Sequence, residues 1–279
     1  MARSHSTTEL YPQIGASGRS SEADAVIIAT GGMTYPATGS TGDGYALARQ
    51  VGHTVVSPAP SLVPLEIKEN WPGTVSGLSL KNVKLTAFRE EQKLGEEFGE
   101  MLFTHFGISG PIVLSLSRAV IAAGASGVNL SLDLKPALSG QQVDERLQRD
   151  IEIFSRRHLI NSLDQLLPMA LIPIVIGLSG IDPHKPCNQI NKEERQILAA
   201  LLKGVPLTVK GVRPVAEAIV TKGGVAVLEV SPKTMGSKLV KGLYFAGEVL
   251  DVDGFTGGFN LQAAWSSGFV AGKASAQNL

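Results

Sequence analysis

From Ala23 to Ala29 the run Ala-Asp-Ala-Val-Ile-Ile-Ala is apolar at all but one position, the pattern of a parallel strand covered on both faces. It stops at Thr30-Gly31-Gly32. A run of the same character, Gly-Leu-Tyr-Phe-Ala over 242–246, ends at Gly247 and is followed by Glu248. The two runs lie far apart in the chain, yet their shared character predicts neighbouring parallel strands of one sheet, with other material inserted between them.

Within the insertion, Leu78, Leu80, Val83, Leu85 and Ala87 fall nearly on one face at period two, and Val128, Leu130, Leu132 and Leu134 do so without a break. This predicts an antiparallel sheet with one wet face. Between these strands, Ser109-Gly110-Pro111 opens an apolar segment reaching Ala123, which reads as a helix capped by Ser109 with proline in its first turn. Farther on the period changes. Val143, Leu147, Ile151 and Phe154 recur at helical spacing. Asn191-Lys-Glu-Glu194 has the form of a capping box, and Gly204 then Pro206 mark the end of that helix. The expected boundaries are a poorly ordered lead-in over 1–22, a discontinuous α/β domain over 23–60 and 211–279, an inserted β-rich domain over 61–138 and an inserted helical segment over 139–210.

Composition narrows the function classes. Hydrophobic residues make up 43% of the chain and charged residues 18%, with 31 glycines and 15 prolines, a globular balance rich in tight turns. Basic and acidic residues are equal in number at 25 each, so no strong field draws in nucleic acid or an anionic membrane. A small-molecule substrate is the expected partner. Cys187 is the sole cysteine, which excludes an internal disulfide and fits a reducing cytoplasm. The near-apolar stretch from Leu166 to Ile181 is interrupted by Pro168 and Pro173 and is too short to span a bilayer. It reads as a buried helix or loop pair.

Three stretches are candidates for chemistry. The first is Ala29-Thr30-Gly31-Gly32, at the carboxyl end of a strand where ligands bind in open α/β sheets; its adjacent glycines let backbone approach a ligand. The second runs from Gly247-Glu248 through Asp251, Asp253, Gly254, Gly257 and Gly258 to Asn260-Leu261-Gln262. It leads into an alanine-rich segment, 261–276, in which Gly268 and Gly272 allow close packing on a sheet. A helix starting near Asn260 presents free N–H groups and the positive end of its dipole, which stabilise negative charge. The competing calcium-loop reading needs a glutamate at the twelfth position from Asp251, and the residue there is Gln262. No metal is expected. The third stretch, Leu102 to Pro111, offers Thr104 and His105 as a substrate contact or general acid.

These stretches resemble a family of bacterial FAD-dependent oxidoreductases that includes aminoacetone oxidases and reductases of dehydrogenated bile acids. Four motifs carry the likeness: Ala29 to Gly44, Leu102 to Pro111, Ala218-Ile-Val-Thr-x-Gly-Gly-Val225, and Gly242 to Gly258 with Asn260-Leu261-Gln262. The resemblance implies an α/β fold in which an FAD-binding doubly wound domain is interrupted by the inserted β domain and helical segment, with the isoalloxazine ring between them. It implies that Thr30 and Gly31 lie along FAD, that Glu248 meets the ribityl chain, and that Gly258, Asn260, Leu261 and Gln262 surround the pyrimidine edge, with Gly32, Gly247 and Gly257 also among the cofactor-binding residues. The Thr104 to Ser109 loop is implied to approach from the insert.

Two departures stand out. Members of the family it resembles usually carry Met-Glu-Ser where this chain has Met235-Gly236-Ser237. The family also opens with a strand, a Gly-x-Gly-x-x-Gly turn and a helix that hold the pyrophosphate, and no such pattern occurs in this sequence. The FAD domain is therefore expected to be incomplete. The leading expectation is hydride transfer between a small organic substrate or NAD(P)H and the flavin. The alternative is a truncated, catalytically incompetent flavoprotein that keeps its substrate domain and binds FAD weakly or not at all. An RNA-binding relative of flavin-dependent tRNA-modifying proteins needs a basic face that the even charge count does not supply.

Overall fold

A computed structural model describes the strands at 14–16 and 19–21 and residues 23–277. In chain order the strands are β1 (Ile14–Ala16), β2 (Arg19–Ser21), β3 (Val26–Ile28), β4 (Val55–Ser61), β5 (Leu65–Ile67), β6 (Ser79–Arg89), β7 (Gln92–Thr104), β8 (Gly107–Ser109), β9 (Asn129–Asp133), β10 (Val205–Val212), β11 (Val220–Val225) and β12 (Leu243–Phe245). The helices are α1 (Asp43–Gln50), α2 (Trp71–Thr74), α3 (Pro111–Ala122), α4 (Gly140–Ile153), α5 (Ile172–Ser179), α6 (Lys192–Lys203) and α7 (Phe259–Gln277). The chain divides into two compact units, Met1–Ser61 with Pro214–Leu279, and Leu62–Arg213.

The unit Leu62–Arg213 is built on a closed barrel of order β10-β5-β8-β7-β6-β9, every neighbouring pair antiparallel. Alternation supplies its core. Leu80, Val83, Leu85 and Ala87 of β6 and Leu130 and Leu132 of β9 are all buried. The step of three between Leu80 and Val83 coincides with a register shift against β7 and a left-handed Asn82, so a bulge restores Val83 to the inner face. The expected sheet thus becomes a barrel with no open edge. It closes through β10, most of which falls in the stretch 139–210 expected as an inserted helical segment. The helices between β9 and β10 bury Val143, Leu147, Leu198 and Leu202 against the same core.

Caps start these helices. Ser139 and Asn191 each form a capping box, with Gln142 and Glu194, and α6 stops at Gly204. The start of α3 differs from expectation: Ser109 closes β8, and the capping position is Gly110, without a side-chain bond. A Cβ at Gly110 would sit 2.9 Å from the Met101 Cα, so the close approach of β7 dictates glycine there.

In the other unit, β3 and β12 pair in parallel, Val26 to Leu243 through Ile28 to Phe245, as their shared apolar pattern predicts. They are shorter than that pattern, and β3 is not covered on both faces: Ile27 is 40% exposed while Ile28 is buried. β4 and β11 form a separate antiparallel pair. Helix α7 packs Ala271 and Ala274 against Tyr244 and Ala246. The expected close-packing glycines of α7 play no such part, since a Cβ at Gly268 or Gly272 would meet nothing within 4 Å. Of the expected lead-in, β1 and β2 form an antiparallel pair, and the remainder lies outside the described residues. Among the described residues no helix is long and apolar enough to cross a membrane.

Candidate functional site

Three chain segments meet behind the end of β12. The Glu248 Oε1 accepts the Thr221 N–H at 2.6 Å and the Thr34 hydroxyl at 3.4 Å. The Met33 N–H donates to the Thr221 Oγ1 at 2.8 Å, and the Tyr45 hydroxyl donates to the Glu248 backbone carbonyl at 3.4 Å. Thr34, Thr221 and Tyr45 are buried. Burial, with the charges of Glu248 and Asp251 adding to it, pushes the Tyr45 phenol up to about 12, so it stays a neutral donor at neutral pH. Glu248 is therefore anchored through its Oε1.

This packing changes the reason for the first glycine pair. A Cβ on Gly32 would lie 2.3 Å from the Thr221 Oγ1 and 2.7 Å from the Glu248 Oε1. Gly32 is glycine because the site's own side chains fill the space, rather than to admit a ligand. A Cβ on Gly31 would likewise meet the Ser40 Oγ at 2.7 Å, and one on Gly44 would meet the Thr30 Oγ1 at 2.1 Å. The segment 30–34 is thus locked between α1 and β11.

The glycines before α7 behave differently. Gly258 has φ of +92° and nothing within 4 Å of a built Cβ; Gly257 beside it is exposed. The Asn260 side chain holds this turn: its Oδ1 accepts the Gly254 N–H at 2.7 Å and its Nδ2 donates to the Gly254 carbonyl at 3.2 Å. Gln262 is exposed and bonds Ser266, and Leu261 is 59% exposed. Helix geometry leaves the first-turn N–H groups of Phe259, Asn260 and Leu261 without intrahelical partners. The Gly247 N–H donates to the Ser267 Oγ at 3.0 Å, tying the end of β12 to α7. Asp253 is engaged by the Ser61 hydroxyl at 2.8 Å, and among the described residues no three His, Cys, Asp or Glu side chains are placed to hold a metal.

Thr104 and His105 belong to the barrel unit. His105 is exposed on the tight turn between β7 and β8, its ring edge-on to Phe106 at 4.9 Å. The Thr104 Oγ1 is buried with no hydrogen-bond partner. Structure adds Thr34, Tyr45 and Thr221 to the residues the sequence singled out. Thr221 lies in the motif Ala218 to Val225, but spacing alone carries no sign that its N–H meets Glu248.

A family model described as the HI0933-like protein barrel and H2TH domain matches residues 59–220, more than half of the chain, and the chain belongs to this family. It is 35% identical over 266 residues to the 3-dehydro-bile acid delta(4,6)-reductase of Clostridium scindens, covering 95% of this chain and 65% of that protein. It is 37% identical over 248 residues to the ribosomal RNA dihydrouridine synthase of Haemophilus influenzae, covering 88% of this chain and 58% of the relative. The Escherichia coli protein of the same name is 31% identical over 259 residues, covering 88% of the chain and 59% of the relative. The chain therefore spans less than two thirds of the length of these curated relatives.

Proposed function

We propose that this chain acts in a flavin-dependent reductase that hydrogenates a carbon–carbon double bond conjugated to a carbonyl. The observation that carries this reading is the start of α7. A left-handed Gly258 with open space at its Cβ position stands before a helix whose free N–H groups favour a negatively charged edge. Those groups suit the N1–C2 carbonyl edge of a reduced flavin. Glu248, anchored through Oε1, has Oε2 to accept a ribityl hydroxyl. Bound FAD would supply the hydride, with NAD(P)H as the donor that reduces it. The protein's part is to orient the ring and hold charge at its edge.

The relatives' names support the reaction class. As chemistry, removing the 4,6 unsaturation of a 3-dehydro bile acid and converting uridine to dihydrouridine both add hydrogen across a C=C in conjugation with a carbonyl. Two readings of the substrate follow: a small enone, which the even charge count favours, and a uridine within ribosomal RNA, which two relatives' names favour. The first is our reading. Thr104 and His105 remain candidates for substrate contact.

The test is to load the purified chain with FAD, supply NADH or NADPH, and offer a 3-oxo-4,6-diene steroid and unmodified ribosomal RNA in parallel. Nicotinamide oxidation coupled to gain of two hydrogens by the steroid is the expected result. The same gain in RNA alone would move the substrate to the second reading. No binding of FAD at saturating concentration in a fluorescence titration would remove the proposal.

A further inference from the structure

His53 is buried, its side chain fully so, and both ring nitrogens are engaged. Its Nδ1 lies 3.1 Å from the Glu229 Oε2 and its Nε2 lies 2.7 Å from the Ser237 Oγ. The order serine, histidine, carboxylate is that of a nucleophilic triad, but the bonds of Ser237 exclude that use. Its Oγ accepts the N–H groups of Leu239 at 3.0 Å and Val240 at 2.8 Å. Both lone pairs are occupied, so none is left to attack a substrate. The hydroxyl hydrogen must then point at Nε2, which makes Nε2 the acceptor and places the ring proton on Nδ1, toward Glu229. Glu229 also accepts the Thr54 N–H at 2.8 Å, and hydrogen bonds from Thr54 first, then His53, hold its carboxyl below the usual range. It is the anionic end of the chain of bonds.

What this network touches gives it a role. The Ser237 N–H donates to the Leu243 carbonyl at 2.7 Å and the Phe245 N–H to the Met235 carbonyl at 3.0 Å. The Met235-Gly236-Ser237 segment therefore runs along β12 on the edge away from β3. The His53 ring stands edge-on to Phe245 with centroids 4.8 Å apart. Two residues beyond Phe245 the strand delivers Gly247 and Glu248.

We propose that Ser237, held by the Nδ1-protonated tautomer of His53, is a positioning residue: together with His53 against Phe245 it fixes the placement of β12, and hence of Gly247 and Glu248 at the candidate cofactor site. This rests on the flavin reading only for its consequence in binding, not for the network itself. The closing experiment compares Ser237→Ala with Ser237→Thr, which keeps the oxygen, and reads amide hydrogen exchange, FAD affinity by fluorescence titration and imidazole ¹⁵N shifts. In Ser237→Ala, exchange should quicken over residues 235–249 with the rest of the unit unchanged. FAD affinity should fall about tenfold, the scale of one net hydrogen bond, and Ser237→Thr should restore both. Wild-type imidazole should show a protonated Nδ1. Unchanged exchange in Ser237→Ala, exchange raised across the whole unit, or a proton on Nε2 would each overturn the proposal. A wild-type chain that binds no FAD would remove the flavin reading, while exchange and tautomer would still decide the role of Ser237 and His53 as a pair.

Discussion

Two glycines near the candidate site make opposite demands on a substitution. At Gly32 the space is filled by Thr221 and Glu248 at under 3 Å from a built Cβ, whereas at Gly258 the space is open and only the positive φ resists a side chain. Gly32→Ala should therefore cost stability of the ligand-free protein, about 1–3 kcal/mol for overpacking a buried contact, visible as a lowered melting temperature without any cofactor. Gly258→Val should cost only about 1–2 kcal/mol of backbone strain but lower flavin affinity at least tenfold by placing a branched side chain over the helix start. Equal flavin titrations for Gly258→Val and wild type would remove Gly258 from the site. Glu248→Gln separates charge from geometry, because the amide oxygen can still accept the Thr221 N–H. Its melting temperature should stay within a few degrees of wild type while flavin binding weakens.

At the level of elements, local signals were legible and long-range closure was not. The box Asn191 to Glu194 names its own helix, and it is present, with Asn191 Oδ1 accepting the Glu194 N–H at 2.9 Å. Asn191→Ala should lower stability by about 1 kcal/mol, measured by urea titration. The alternation of Val128 to Leu134 likewise told which face is buried. By contrast, β10 follows a helical stretch and pairs with β5 and β9, so no local period could show that the sheet becomes a barrel. Ser109 yielded to Gly110 because the deciding contact, with Met101, is tertiary. At the site, the glycine runs were visible but their reasons were not, since Thr221 reaches Glu248 only in the folded chain. Helices α4 and α6 are further joined by Arg195, whose Nε and Nη2 donate to Asp144 at 2.8 and 3.1 Å. Arg195 holds the Asp144 carboxyl below its usual range, and Lys185 does the same for Glu194. Depressed carboxyl values add stability that is complete above the unfolded values and is lost as pH falls through the folded ones. Thermal melts between pH 6 and pH 3 should accordingly fall less steeply for Arg195→Ala than for wild type, with a loss at pH 6 of no more than about 1 kcal/mol given solvent screening.

For the whole molecule, the balance of cofactor contacts decides how FAD should bind. The contacts we assign to a flavin, the α7 N-terminus, the Gly257–Gly258 turn and Glu248, all serve the ring and the ribityl chain. The sequence contains no Gly-x-Gly-x-x-Gly turn, the device that meets a pyrophosphate with N–H groups at a helix start. Charge-assisted hydrogen bonds of that kind contribute roughly 1.5–3 kcal/mol each. Two or three of them amount to several powers of ten in affinity at about 1.4 kcal/mol per factor of ten. If this chain holds only the ring and ribityl ends, FAD has little to gain over riboflavin, which lacks phosphate and adenosine altogether. We therefore expect the two to bind weakly and within about threefold of each other, a difference of under 1 kcal/mol, when each is titrated against the purified chain by flavin fluorescence. FAD binding a hundredfold more tightly than riboflavin would mean that other residues of this chain grip the pyrophosphate, and that the site extends beyond the α7 start and Glu248.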